Sequence, residues 1–273
     1  MRKTTFVLTI AGSDSCGGAG IQADLKTFSS LGVYGSSVIT AVTAQNTLGV
    51  KDIQAINPQI VASQLDSVLT DFDIKAIKIG MIFTSANVIA ISERLASHNY
   101  HGKIVLDPVM VSTQGNDLIL SQTMAAICEN LFPISDLITP NLREAEAILD
   151  MKITNVEDMK TAAQLLVTKY DLKAVLVKGG HLEGSKITDV LLAGSNFTTF
   201  QSDKINTRNT HGTGCTLSSA IAAYLAKNQD IETACRNAKT YIHHAIASAQ
   251  DIDLGHGNGS VNHFFNPIPL MTF

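Results

Sequence analysis

The segment Thr210-His211-Gly212-Thr213-Gly214-Cys215-Thr216 has the residue types of an anion site. It runs straight into Leu217, Ala220, Ile221, Tyr224 and Leu225, the three-and-four spacing of one buried helix face. A helix start leaves backbone N–H groups without partners and turns the positive end of the helix dipole toward whatever lies ahead. Gly212 and Gly214 let that group approach the backbone closely. The same field lowers the pKa of a thiol, so Cys215 is expected to be available as a thiolate. An anion hole beside a proton acceptor suits transfer chemistry on a charged group. Glycine-rich helix entrances also occur with no chemistry attached, so this segment decides nothing alone.

Several other segments could contribute. In Gly12-Ser13-Asp14-Ser15-Cys16-Gly17-Gly18-Ala19-Gly20, Gly12 and Gly17 have P-loop spacing, but Gly18-Ala19 stand where Lys-Ser is required. A dinucleotide fingerprint can be laid on Gly18, Gly20 and Ala23, yet it starts well past the strand and lacks its distant acidic residue. What remains is a loop whose backbone can line a small ligand. Asp24, on the first turn of the following helix, either complements the helix dipole or bonds an amino group of such a ligand. Asp107 precedes Pro108, and Glu144 and Glu146 follow Asn141. Carboxylates at two adjacent strand ends are able to hold Mg²⁺ through water. Lys178, with Gly179-Gly180 behind it, supplies a cation for phosphate. Gln45-Asn46 can read a heterocycle edge, donating and accepting together, or simply cap a loop. The eight histidines show no metal-cluster spacing and are read as structural or exposed, His211 among them.

These residues need a scaffold. Short apolar runs at 6–11, 37–43, 74–79, 104–107, 137–139, 174–178 and 190–192 predict strands, and amphipathic patterns at 21–31, 59–72, 156–170 and 231–249 predict helices. Such alternation predicts right-handed crossovers and a doubly wound, mainly parallel α/β sheet with helices on both faces. In such sheets ligands gather beyond the carboxyl ends of the strands. Gly12-Ser13-Asp14, Asp107-Pro108, Thr139-Pro140-Asn141 and Lys178-Gly179-Gly180 all fall at such ends, on one rim. No linker or repeat divides the chain, so residues 1–273 are read as one domain, with 255–273 as irregular surface chain.

With 45% apolar and 16% charged residues, the chain is not intrinsically disordered. A net charge of −4 and no basic run argue against nucleic acid as a partner. The apolar run after Met1-Arg2-Lys3 stops at Gly12, too short for a signal peptide, and none approaches a membrane span. Cys16, Cys128, Cys215 and Cys235 have neither zinc spacing nor a disulfide framework, and predict reduced thiols in the cytoplasm.

Taken in order, the motifs resemble those of hydroxymethylpyrimidine/phosphomethylpyrimidine kinases. The resemblance rests on Ala11 to Lys26, Thr43-Ala44-Gln45-Asn46-Thr47, Lys78-Ile79-Gly80-Met81 and Asp107-Pro108-Val109-Met110. It continues through Thr139-Pro140-Asn141-Leu142, Glu144-Ala145, Val177 to His181, and Thr210 to Thr216. It implies a ribokinase-like fold, often a homodimer, that uses ATP and Mg²⁺ to phosphorylate 4-amino-5-hydroxymethyl-2-methylpyrimidine and then its monophosphate, in thiamine biosynthesis. It further implies that Gln45 contacts the pyrimidine, with Asp24, Gly12, Met81 and Val109 around it. Gly212 and Gly214 would form the anion hole, Lys178 would lie near the ATP phosphates, and Asp107 and Glu144 near Mg²⁺. Most ribokinase-like sugar and nucleoside kinases carry Asp where this chain has Cys215, so the cysteine marks the subfamily. A pyridoxal-type kinase and an idle pyrimidine-binding sensor are the competing expectations.

Overall fold

The computed structural model describes residues 2–110, 121–180, 182 and 184–273. His181 lies outside them. Nine strands form one sheet: β1 (Phe6–Asp14), β2 (Tyr34–Asn46), β3 (Gly49–Ala55), β4 (Ile74–Ile79), β5 (Lys103–Leu106), β6 (Leu137–Ile138), β7 (Ala174–Val177), β8 (Lys186–Ala193) and β9 (Asn196–Asp203). Their spatial order is β3-β2-β1-β4-β5-β6-β7-β8-β9. The pairs from β2 through β7 are parallel, and β3, β8 and β9 add antiparallel edges.

Strand residues alternate between two cores, as a sheet buried on both faces requires. Leu8, Ile10, Ile77, Ile79, Ile104 and Leu106 point to one side. There they meet α2 (Pro58–Asp71), α3 (Ser85–Ser97), α4 (Ser121–Asn130), α5 (Leu142–Leu149) and α6 (Val156–Tyr170). Val7, Ala76, Val105 and Leu176 point to the other side. That face is covered by α1 (Gly20–Ser30), α7 (Thr213–Ala226) and α8 (Ile231–Ala247). None of the described helices is long and apolar enough to cross a membrane.

Five described helices start on a side-chain cap, and two, α1 at Ala19 and α7 at Gly212, do not. Asn57, Thr84, Asn141, Asn155 and Asp230 cap α2, α3, α5, α6 and α8 through their side chains. The start of α7 is Gly212, at φ +79°, with no side chain to cap it.

The segment after α8 is irregular and mostly exposed, as expected, but one stretch of it packs against the glycine segment before α7. Gly259 O accepts the His211 N–H at 2.9 Å, and Val261 and His263 are buried. His263 Nε2 pairs with Thr216 Oγ1 at 2.9 Å, and burial pushes the imidazole down to about 4. Its ordinary value is near 6.5, so the neutral ring stabilises the fold above that pH. This contribution is lost as pH falls from about 6.5 toward about 4, up to about 3 kcal/mol. Urea melts of wild type and His263→Gln should therefore diverge least at pH 4 and most at pH 7.

Candidate active site

Beyond the carboxyl ends of the parallel strands lies a cavity of about 450 Å³. Gly12, Gln45, Met81, Val109, Asp107, Glu144, Lys178, Gly212, Gly214 and Cys215 all line it. Strand order brings them together, since the ends of β1, β2, β4, β5, β6 and β7 are neighbours along one rim.

Lys178 follows β7, and its Nζ lies 2.6 Å from Asp107 Oδ1, just after β5. Thr139 Oγ1 donates to the same oxygen at 3.1 Å, and Ser218 Oγ to Oδ2 at 3.3 Å. Glu144 stands in the first turn of α5, where it closes a capping box by accepting the Asn141 N–H at 2.8 Å. Burial pushes its carboxyl up to about 7, with Lys178 opposing the shift and Asp107 reinforcing it. For Lys178, burial acts downward, but Asp107 and Glu144 raise the ammonium above its ordinary range. Two buried carboxyl groups thus face one ammonium, and the balance becomes negative as Glu144 ionises around pH 7.

Opposite this cluster, the backbone N–H groups of Gly214 and Cys215 have no partner among the described residues. A Cβ on Gly214 would sit 3.5 Å from both Asp107 Oδ2 and Lys178 Nζ, so the free donors adjoin the charged cluster. The glycine loop after β1 leans on this entrance. Asp14 accepts the N–H groups of Cys16, Gly18 and Ala19 at 2.8, 3.0 and 2.8 Å, and its Oδ2 lies 2.9 Å from His211 Nε2. His211 is therefore a buried strut between the two glycine segments. Its neighbourhood gathers Asp14, Cys16 and His211, but Asp14 already spends both oxygens on the loop.

Two expectations change. Asp24 does not line the cavity; it is fully buried below it, bonded to Thr9, Lys78 and Ser219. Cys215 does line it, but burial pushes the thiol up to about 11, although Lys78 and the Gly20 N–H draw it down. Burial, with Asp24 and Asp107 adding to it, outweighs those two influences, and the resting side chain is a thiol. Gln45 belongs to the end of β2 and not to the loop after it. Its Oε1 accepts from Thr43 at 3.2 Å and its Nε2 lies 3.4 Å from His211 Nε2, so the amide is held at the rim.

Sequence reasoning missed the far wall. Asp189 on β8 accepts the Gly179 N–H at 2.9 Å and pairs with Lys239 of α8 at 2.6 Å. This fixes the backbone just after Lys178. Only recognition of β8 as an antiparallel neighbour of β7 would have revealed it.

A mainly parallel α/β sheet, a glycine-rich helix entrance and a lysine beside two carboxyl groups suit a small-molecule kinase. The comparisons make the class specific. The family model for phosphomethylpyrimidine kinase matches residues 14–262. A hydroxymethylpyrimidine/phosphomethylpyrimidine kinase from Rhizobium meliloti (strain 1021) is 47% identical, covering 96% of this chain and 97% of its own. The crystal structure of phosphomethylpyrimidine kinase from Clostridium difficile 630 is similar with a TM-score of 0.78 and 44% identity, over 88% of this chain and 99% of that one. An ADP complex of Bacillus subtilis pyridoxal kinase gives a TM-score of 0.87 at 34% identity, over 96% and 98%. This chain belongs to the phosphomethylpyrimidine kinase family, and it is a phosphotransferase.

Proposed function

We propose that the chain, working as one kinase domain, transfers the γ-phosphoryl group of ATP to 4-amino-5-hydroxymethyl-2-methylpyrimidine and then to its monophosphate, in thiamine biosynthesis. The observation that carries the reading is the free N–H pair of Gly214 and Cys215 beside Lys178 and Asp107. The substrate hydroxyl oxygen forms the new P–O bond as its proton is released to solvent and the bond from the γ-phosphorus to the ADP oxygen breaks, and the donors face the charge that spreads over the transferring group. Lys178 attracts the phosphates. Gln45, held at the rim with Gly12, Met81 and Val109 nearby, presents an amide to the pyrimidine edge.

The negative balance at Asp107 and Glu144 suits a divalent cation. Their oxygens already accept from Lys178, Thr139, Ser218 and Asn141, which favours holding Mg²⁺ through water. When bound, Mg²⁺ would neutralise charge on the phosphates. With the thiol at about 11, Cys215 is a poor proton acceptor at neutral pH. A required general base would cost roughly 10²–10⁴-fold on removal, whereas Cys215→Ala should keep turnover within about tenfold of wild type from pH 6 to 9.

The free thiols of Cys16, Cys128, Cys215 and Cys235 support a reducing, cytoplasmic setting. Exposed Val42 and Leu48, beside the β2–β3 edge of the sheet, support a homodimer, which sedimentation equilibrium tests. The function is tested by ADP release with Mg²⁺ and the alcohol, its monophosphate, pyridoxal or pyridoxamine. Turnover of both pyrimidines is expected. Turnover of pyridoxal alone would assign the chain to the pyridoxal reading, and binding without any turnover would make it a sensor.

A further inference from the structure

Below the anion-hole loop, four polar side chains meet out of reach of solvent. Thr9 of β1 and Lys78 of β4 stand in the alternation that faces α1 and α7, where neighbouring positions hold Val7, Ala76 and Val105. Asp24 of α1 and Ser219 of α7 meet them, and all four residues are 0% exposed. Lys78 Nζ donates to both Asp24 oxygens at 2.9 Å, Thr9 Oγ1 to Oδ2 at 2.6 Å, and Ser219 Oγ to Oδ1 at 2.6 Å. Burial acts to lower the Lys78 ammonium, yet Asp24 raises it above its ordinary range.

Stability alone is a weak account of this pair. Desolvation of a buried ion pair typically cancels its attraction, and apolar side chains of similar volume often serve as well. The sequence around it already supplies such side chains. What the pair does provide is a fixed, ionised acceptor, and charged acceptors make the shorter and more directional hydrogen bonds.

The donor it fixes is informative. A serine inside a helix commonly turns back to the carbonyl one turn earlier, and Ser218 Oγ lies within reach of both Gly214 O at 3.0 Å and Asp107 Oδ2 at 3.3 Å. Ser219 instead reaches across to α1. It lies one turn beyond Cys215, on the same side of the helix. Together with Thr216 on His263 and Ser218 on Asp107, it ties the first two turns of α7 to three different parts of the protein.

We propose that Ser219, Asp24 and Lys78 are positioning residues for phosphoryl transfer. The buried pair holds Asp24, Asp24 holds Ser219, and Ser219 sets the rotation of the α7 entrance so that the Gly214 and Cys215 N–H groups face the cavity. The inference rests on the reading of residues 212–215 as the anion hole. It also gives Asp24 a place in the mechanism without contact to substrate.

Asp24→Ala would leave Lys78 buried and unpaired and can fail to fold, so Ser219→Ala is the decisive variant, with Ser219→Thr as the conservative rescue. Three quantities are read: kcat, the KM values for ATP and pyrimidine, and the iodoacetamide alkylation rate of Cys215 in the resting protein by mass spectrometry. Misplacement of the donors predicts a kcat lower by about 10–100-fold with both KM values within about threefold. Alkylation of Cys215 should change by at least about threefold, and Ser219→Thr should recover most of both losses. A Ser219→Ala protein with wild-type kcat overturns the proposal. So does a fall in kcat that comes with a lowered Tm and unaltered Cys215 alkylation, because a purely structural serine predicts that pattern. Failure of the anion-hole reading is separable: Gly214→Ala would then leave kcat unchanged, while the alkylation result in Ser219→Ala would still report on the helix entrance.

Discussion

Gly212→Ala is expected to lower kcat by at least about 10³-fold and to lower Tm as well. The residue has φ +79°, where an L side chain costs about 1–2 kcal/mol. Its new Cβ would also collide with the carbonyl oxygen of Gly18. That carbonyl belongs to a loop pinned by Asp14 and His211, so the collision cannot be relieved by one flexible side chain. Both glycine segments have to move apart. Misplacement of about 1 Å costs on the order of 10²-fold in rate, and loss of one oxyanion donor about 10²–10³-fold. Gly214→Ala separates the two effects. Its Cβ would meet Asp107 and Lys178 at 3.5 Å, an ordinary contact, so Tm should hold while the methyl group intrudes where the phosphoryl group passes. Steady-state ADP release and thermal melts on both variants decide the matter. A Gly212→Ala enzyme with more than a tenth of wild-type turnover would mean that this loop is not the anion hole.

Lys178→Ala carries the second large effect: kcat/KM lower by about 10³-fold, with a raised KM for ATP. The ammonium is the cation between Asp107 and Glu144, and its side chain is only 13% exposed. Its loss removes an attraction for phosphate and the cation that holds the Glu144 carboxyl down, so Glu144 moves further toward its protonated form beside Asp107. Lys178→Arg should recover little, because a planar fork does not replace a compact ammonium 2.6 Å from Asp107. Unchanged rate and ATP KM in Lys178→Ala would remove the lysine from the mechanism.

The rim was legible in the sequence because strand ends in a parallel sheet are punctuated. Gly12, Asp107, Asn141 and Lys178 each follow an apolar run, and the fold has no choice but to gather such ends. Helix α6 was read at its true bounds because its apolar positions recur strictly. The edges were not legible: β3 and β9 are half-exposed strands whose mixed polarity resembles loop. Helices α3 and α4 were missed as well. Depth was the other gap. Asp24 carries the charge of a surface residue, and nothing in the chain says that Lys78, inside an apolar strand, will meet it. The fate of Cys215 shows the same limit, since a helix entrance predicts a lowered pKa and only the packing around the sulfur reverses the sign.

The burial of α7 has an observable side. Ten of its fourteen residues are buried, in contact with β1, β4, β5, α1 and α8. Amides in its middle turns should therefore exchange with deuterium only through rare, large-scale opening. The amides of Gly214 and Cys215 sit on the same rigid rod yet have no acceptor among the described residues. In the free enzyme they should be among the fastest-exchanging sites next to some of the slowest. An anion seated at the helix entrance would erase that boundary, so isotope uptake at two adjacent residues becomes a direct gauge of occupancy that needs no turnover.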